Sequence, residues 1–188
     1  MTQNNTVIPI HRPDAREMLF FFSCGIIMSV PITLFIAQYA NPLLAGLDTI
    51  SATLVSTAVL APLVEEFSKI FPLFYRHGET QRSIFYLAVM VGLGFGLAEF
   101  LAYLLIGVEW YIRLPGLLFH PASTAISAYG IAVKKPIPFF ALAVGLHFAN
   151  NFLALTNPLP ISTSILLVGF TVVASWSLYK KTQEKIIT

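Results

Sequence analysis

Six runs of apolar residues, over 19–40, 49–74, 84–106, 113–133, 139–155 and 159–179, dominate the chain. Most are close to the ~20 residues an α-helix needs to cross a hydrocarbon layer of ~30 Å, and only the fifth is short. The first ends at Asn41-Pro42. Lipid offers no partner to an open backbone, so every run is expected to be helical. The expectation is an all-α fold, a polytopic membrane helix bundle of about six transmembrane helices. Composition agrees, with 56% hydrophobic and 11% charged residues and a mean hydropathy of +0.77. Charged residues make up about 25% of an ordinary soluble domain. A soluble globular domain, a disordered tail and a disulfide scaffold are therefore excluded.

The few charges carry topological information. Six spans put Arg12, Arg16, Arg76, Arg82, Lys134, Lys135, Lys180, Lys181 and Lys185 on one side. Only Arg113 falls on the other, and Lys69 lies within the second run. By the positive-inside rule both termini are cytoplasmic. The first run is too long for the apolar part of a usual signal peptide and has no convincing cleavage site, so it is read as a retained helix. The 188 residues read as a single membrane-embedded domain with its motifs concentrated in residues 61–151. With 11 Lys+Arg against 9 Asp+Glu there is no basic patch for nucleic acid. Cys24 has no second cysteine to pair with and reads as an inert apolar thiol.

Against this apolar background the polar residues are costly. A charged side chain at mid-bilayer costs about 2.5–3.5 kcal/mol on insertion scales. Yet four consecutive runs carry one or more: Glu65, Glu66 and Lys69 in the second, Glu99 in the third, His120 in the fourth, and His147, Asn150 and Asn151 in the fifth. The economical arrangement gathers them around one polar cavity inside the bundle. In the second run either glutamate reaches Lys69, at i,i+4 or i,i+3, and Pro62 removes one backbone hydrogen bond. In the third, Gly92 and Gly96 form a G-x-x-x-G face for close helix approach, with Glu99 one turn beyond. In the fourth, His120, Thr124 and Ser127 form a polar stripe, and Arg113 is read as interfacial. In the fifth, His147 and Asn150 share a face, and Asn151 reads as an interhelical clamp.

Together these groups provide carboxylates, imidazoles, a carboxamide and an ammonium, the kit for activating water and steadying an oxyanion. There is no His-Glu-x-x-His, no Gly-x-Ser-x-Gly and no paired-aspartate motif.

The succession Glu65-Glu66-x-x-Lys69, Phe95-x-x-x-Glu99, His120 with Gly130 downstream, and His147-x-x-Asn150 resembles the PrsW family of intramembrane proteases. That family is grouped with the CAAX-protease and bacteriocin-processing (CPBP or ABI) superfamily. The resemblance covers about residues 61–151. It implies hydrolysis of peptide bonds in membrane-anchored protein or peptide substrates, within a prokaryotic plasma membrane. It assigns the water-activating carboxylate to Glu65 or Glu66, with Glu99, His120, His147 and Asn150 completing the site. It leaves the cofactor as none or one divalent metal such as zinc. Three positions depart from the expected pattern, namely Phe100, Ala149 and Pro121, and Pro121 stands next to a candidate catalytic histidine.

The mechanism expected from these residues has Glu66, or Glu65, take a proton from a water held by His120 and Glu99. His147 and Asn150 then stabilise the oxyanion, and Lys69 keeps one glutamate ionised. With a metal present, the expected ligands are Glu99, His120 and His147. Arg113 and Lys69 are supporting residues. The alternatives are a non-catalytic scaffold or immunity protein of the same fold, and a small transporter or proton pathway. The absence of inverted repeats and the small size weigh against transport.

Overall fold

The computed structural model describes residues 10–75, 80–156 and 160–187. Arg76, one of the charges used to orient the chain, and Leu159, the expected start of the last run, lie outside the described residues. Among the described residues the structure is helical, apart from an isolated bridge between Thr80 and Ile186. The helices are α1 (Ala15–Met28), α2 (Val30–Leu44), α3 (Thr49–Leu54), α4 (Ala61–Tyr75), α5 (Gln81–Leu105), α6 (Trp110–Ala132), α7 (Pro136–Thr156) and α8 (Pro160–Tyr179). A π-helical segment, Val55–Leu60, joins α3 to α4, so the second run is continuously helical.

Among the described residues, five stretches are long and apolar enough to cross a bilayer: Ala15–Ala40, Thr49–Phe74, Gln81–Leu105, Pro136–Thr156 and Ser162–Tyr179. The fourth expected span, α6, is less apolar than these, although its 23 residues reach about 34 Å. The reason is its position. Residues 119–128 of α6 are all buried against protein, so its polar side chains meet other helices. A helix wrapped by its neighbours does not need a lipid-compatible surface.

The first run is not one straight helix. It breaks at Ser29, whose ψ of −96° is non-helical, two residues before Pro31. The Ser29 hydroxyl turns back to donate to the Ile26 carbonyl at 2.8 Å. Beyond the elbow, α2 continues through Asn41-Pro42 to Leu44, a turn further than its Asn-Pro pair suggests. Asp48 starts the second run by accepting from the backbone N–H of Ile50 and Ser51. The fifth run is a turn longer than its apolar core, because Pro136 and Pro138 fit the first turn of α7, where no N–H is required.

α5 is the axis of the packing, and glycine makes this possible on two sides. A Cβ on Gly92 would lie 2.4 Å from the Pro121 Cα of α6. One on Gly94 would lie 2.0 Å from the Phe22 carbonyl oxygen of α1, and one on Gly25 would lie 2.0 Å from the Val91 carbonyl oxygen. The backbones of α1, α5 and α6 are therefore in direct contact. Phe21 fills the space beside this seam with Leu73, Ile84, Leu87, Val91 and Ala128. A second apolar cluster, Phe119, Ile126, Ala143, Leu146 and Val168, ties α6 to α7 and α8.

The chain after α8 folds back onto the start of α5. Thr80 caps α5 and donates to Glu184 at 3.0 Å, and Arg82 donates to the Thr182 carbonyl at 2.8 Å. Ala128 and Ala132, near the end of α6, pack with Ile84 and Leu87, near the start of α5. Arg82, the Lys134-Lys135 turn and the basic tail therefore share one end of the bundle, with Arg113 towards the other.

The glycine contacts yield a stability prediction. Gly92→Ala and Gly94→Ala are each expected to lower stability by about 1–3 kcal/mol through backbone overpacking. Gly145→Ala, where nothing lies within 4 Å of the added atom, is expected to be neutral. Unfolding midpoints in detergent micelles check this.

Candidate active site

The costly residues of four runs meet in the centre of the bundle. Glu66 and Lys69 of α4 are fully buried and form an ion pair, with Nζ 2.5 Å from Oε1. The same Oε1 accepts from the Ser123 hydroxyl of α6 at 3.1 Å and stands 2.8 Å from Nδ1 of His147 on α7. Lys69 also donates to Ser123 at 3.1 Å and stands 3.2 Å from Nδ1 of His120. Its ammonium faces the ring of Phe95, 5.3 Å from the centroid. Of the two glutamates that reach Lys69 by spacing, Glu66 makes the bond.

Glu99 forms the other half of the cluster. Its Oε1 accepts from Arg113 at 2.8 Å, and its Oε2 lies 2.5 Å from Nε2 of His120. The Arg113 guanidinium lies over the Tyr103 ring, 3.7 Å from its centroid. Arg113 is thus a partner of the site carboxylate as well as a residue near the start of α6. Glu65 points into the same space. Its Oε2 is 3.7 Å from Nε2 of His147 and is buried without a hydrogen-bond partner. Glu65, Glu99 and His120 each offer one donor atom, and these atoms lie within 4.8 Å of one another.

This compact triad differs from the ligand set expected from the sequence. Glu65 stands where His147 was expected, and the His147 Nε2 lies beside it, 3.7 Å from the Glu65 Oε2. Adjacent residues on a helix diverge by ~100°. Glu65 therefore faces Glu99 and His120, while Glu66 faces Lys69 and His147.

Hydrogen-bond logic assigns the imidazole tautomers. An ammonium is a donor only. His120 Nδ1 therefore accepts from Lys69, and its Nε2–H points at Glu99. A carboxylate is an acceptor only, so His147 donates through Nδ1 to Glu66 and leaves its Nε2 lone pair facing Glu65 and the cavity. That cavity, of about 90 Å³, is lined by Glu99, Arg113, His120, His147, Asn150 and Ser164, among others.

Asn150 and Asn151 have separate tasks. The Asn150 Oδ1 accepts from Ser164 of α8 at 2.8 Å. This fixes the carboxamide, whose Nδ2 donates one N–H to the Asn151 Oδ1 at 3.5 Å and keeps a second for the cavity. Asn151 turns away and donates to the Thr57 carbonyl at 2.9 Å. Thr57 lies in the π-helical segment, where the Ala61 N–H bonds back to the Ser56 carbonyl. The next donor in that register would be residue 62, which is proline and has no N–H. Asn151 supplies the missing donor, so the clamp expected of it has a defined purpose.

The stripe expected on α6 is partly corrected. His120 faces the site, but the Thr124 hydroxyl donates to the His120 carbonyl at 2.7 Å, within its own helix. Ser127 has a buried hydroxyl with no partner. Ser123 is the α6 hydroxyl that reaches Glu66 and Lys69, and spacing alone did not mark it. Ser164 was also missed, though the Ser162-Thr163-Ser164 run at an apolar helix's start was a visible signal. Pro121, a departure from the expected pattern, lies against Gly92 in the α5–α6 contact.

Buried carboxylates and imidazoles are thus gathered beside a cavity of about 90 Å³ between apolar helices, an arrangement suited to a membrane-embedded hydrolase. The sequence matches the family described as PrsW family intramembrane metalloprotease over residues 14–177, which includes every residue of this cluster. The chain belongs to that family and is an intramembrane protease, a multi-pass integral membrane protein. No curated protein and no solved structure matches it. Family membership answers the transport and scaffold alternatives at the level of class.

The Asn151 clamp is testable through its cause. Asn151→Ala is expected to lower stability by about 1–2 kcal/mol by orphaning the Thr57 carbonyl. Pro62→Ala restores a backbone N–H and is expected to remove most of that loss in the double variant. A double-mutant cycle of unfolding free energies measures this coupling.

Proposed function

We propose that the protein hydrolyses peptide bonds of membrane-anchored proteins or peptides at this cluster, with one divalent cation, zinc foremost, held by Glu65, Glu99 and His120. The observation that carries the reading is an unpartnered carboxyl oxygen in a closed space. Of the three carboxyl groups here, Glu66 pairs with Lys69 and Glu99 with Arg113. The carboxylate left over, Glu65, has a buried oxygen with no partner. Two carboxylates and an imidazole from three helices suit a divalent ion. His120 would hold the ion through Nε2, with its proton on Nδ1 and Lys69 resting on Glu66 and Ser123. Bound there, the ion would lower the pKa of a water molecule and polarise the scissile carbonyl.

The protein's own groups divide the remaining work. His147 Nε2 takes the proton from the attacking water. Glu66, on the opposite nitrogen, holds the imidazole's tautomer and stabilises its charged form, the logic of a carboxylate–imidazole pair. Glu66 orients the base because its Oε1 is already surrounded by Lys69, Ser123 and His147. Asn150 Nδ2 donates to the carbonyl oxygen as it gains negative charge. Hydroxide adds to the carbonyl carbon, the C–N bond breaks, and His147 returns its proton to the leaving amine. Arg113 orients Glu99 throughout.

The cavity lies towards the start of α6 and the junction of α7 with α8, away from the basic end of the bundle. With α6 counted as a sixth crossing and the basic end cytoplasmic, cleavage takes place in the outer half of a prokaryotic plasma membrane. The whole chain acts as one catalytic domain.

The test uses purified protein in detergent and a fluorescent single-span peptide substrate. Chelation is expected to abolish turnover, zinc to restore it, and elemental analysis to find about one metal per chain, falling in Glu65→Gln. His147→Ala is expected to cost 10²–10⁴-fold in kcat, the usual range for a general base. Full activity in the metal-depleted protein would overturn the cation, and unchanged kcat in His147→Ala would overturn the base.

A further inference from the structure

A second cavity opens from the same carboxylates on the opposite side of the cluster. Its volume is about 350 Å³, and it lies between the α1–α2 elbow and α5. Glu65 and Glu99 form its inner end, while Val30, Leu34, Ala102 and Ile106 line its apolar walls. Resting on the protease reading above, we propose that this groove is the subsite that receives an unwound, apolar stretch of the substrate beside the scissile bond.

The groove follows from how α1 and α2 are held. Gly25 seats α1 directly on the backbone of α5. One turn later the Ser29 elbow turns the chain, and α2 leaves α5 to lie against α4. The space between α2 and α5 is therefore bounded by side chains and not closed by backbone contact. Leu34 borders it and is 64% exposed, which in a bilayer means contact with acyl chains. A segment arriving from the lipid meets this wall before it meets Glu99.

The two cavities divide what hydrolysis needs. The polar one is lined by Arg113, His147, Asn150 and Ser164 and has room for water. The other is apolar, with few polar groups besides the two site carboxylates, the usual character of a site for an apolar ligand. Glu99 lines both. A peptide carbonyl carried in from the groove and a water carried in from the polar cavity meet at Glu65, Glu99 and His120. Two further apolar grooves, one lined by Leu63 and Phe148 and one by Leu118 and Trp176, include no residue of the carboxylate–imidazole cluster and serve as controls.

The experiment uses the full chain in phosphatidylcholine–phosphatidylglycerol vesicles. The probe is a fluorescent, lysine-flanked Leu/Ala single-span peptide with a central Gly-Pro pair. Photoreactive benzoylphenylalanine replaces Leu34, Ile106 or, as control, Leu118. Labelling from Leu34 and Ile106 is expected to exceed that from Leu118 several-fold. Ala102→Trp, which fills the groove, is expected to bring it down to the control level. Equal labelling at all three positions overturns the proposal, and so does labelling from Leu34 that Ala102→Trp leaves unchanged. The contrast among the three positions needs no groove-filling variant, so a misfolded Ala102→Trp chain does not decide the result. Cleavage of the same peptide by the unsubstituted chain is followed in parallel. Selective labelling without cleavage counts against the proposed function, and cleavage without selective labelling counts against the groove.

Discussion

The arrangement depends on a carboxylate and an ammonium buried one helical turn apart. Glu66 and Lys69 are both sealed from solvent, and neither would be tolerable there alone. Removing two charges from water costs several kcal/mol each, even after relaxation, and their attraction repays this only with good geometry and further hydrogen bonds. Those bonds come from Ser123, His120 and His147 on two other helices. The pair therefore gathers α6 and α7 around α4. The requirement to satisfy a buried charge and the requirement to assemble a reactive site are met by the same contacts.

The glycine seam of α5 works with this pair. Gly92 brings the α6 backbone close at Pro121, next to His120, so Glu99 and His120 face each other at hydrogen-bond distance. Gly94 and Gly25 do the same for α1. Tight packing on two sides of α5 leaves its third side, towards α2, open. The closeness that builds the carboxylate–imidazole cluster and the gap that borders it are two results of one placement of small residues.

Much of this was legible in the chain. Run lengths marked the helices, because lipid permits little else, and residues 49–74 matched a helix almost to the residue. The intramembrane Glu, His and Asn residues marked the site, since their cost implies a shared enclosure. Helix rotation was not legible. Whether Ser123 or Thr124 faces Glu66, and whether Glu65 or His147 joins Glu99 and His120, depends on angles that i,i+3 and i,i+4 spacing leaves open. The Ser29 break was signalled only by Pro31, and the fold-back of the tail onto Thr80 had no periodic signature. α6 is less apolar than the five candidate spans, and its residues 119–128 are buried against other helices.

The π-helical segment before Pro62 has a consequence for how the second run was built. A turn closed by i+5 bonds accommodates one residue more than an α-helical turn. That extra residue sets the angular phase between the lipid-facing start of the run and the Glu65-Glu66 pair. Closing the same residues in α register, with no change of length, would swing the two halves by about 100° relative to each other. Asn151, gripping the Thr57 carbonyl from α7, acts as the ratchet that holds this phase. A return of that short stretch to α register would move the acidic pair off its target while leaving every residue of the cluster in the chain.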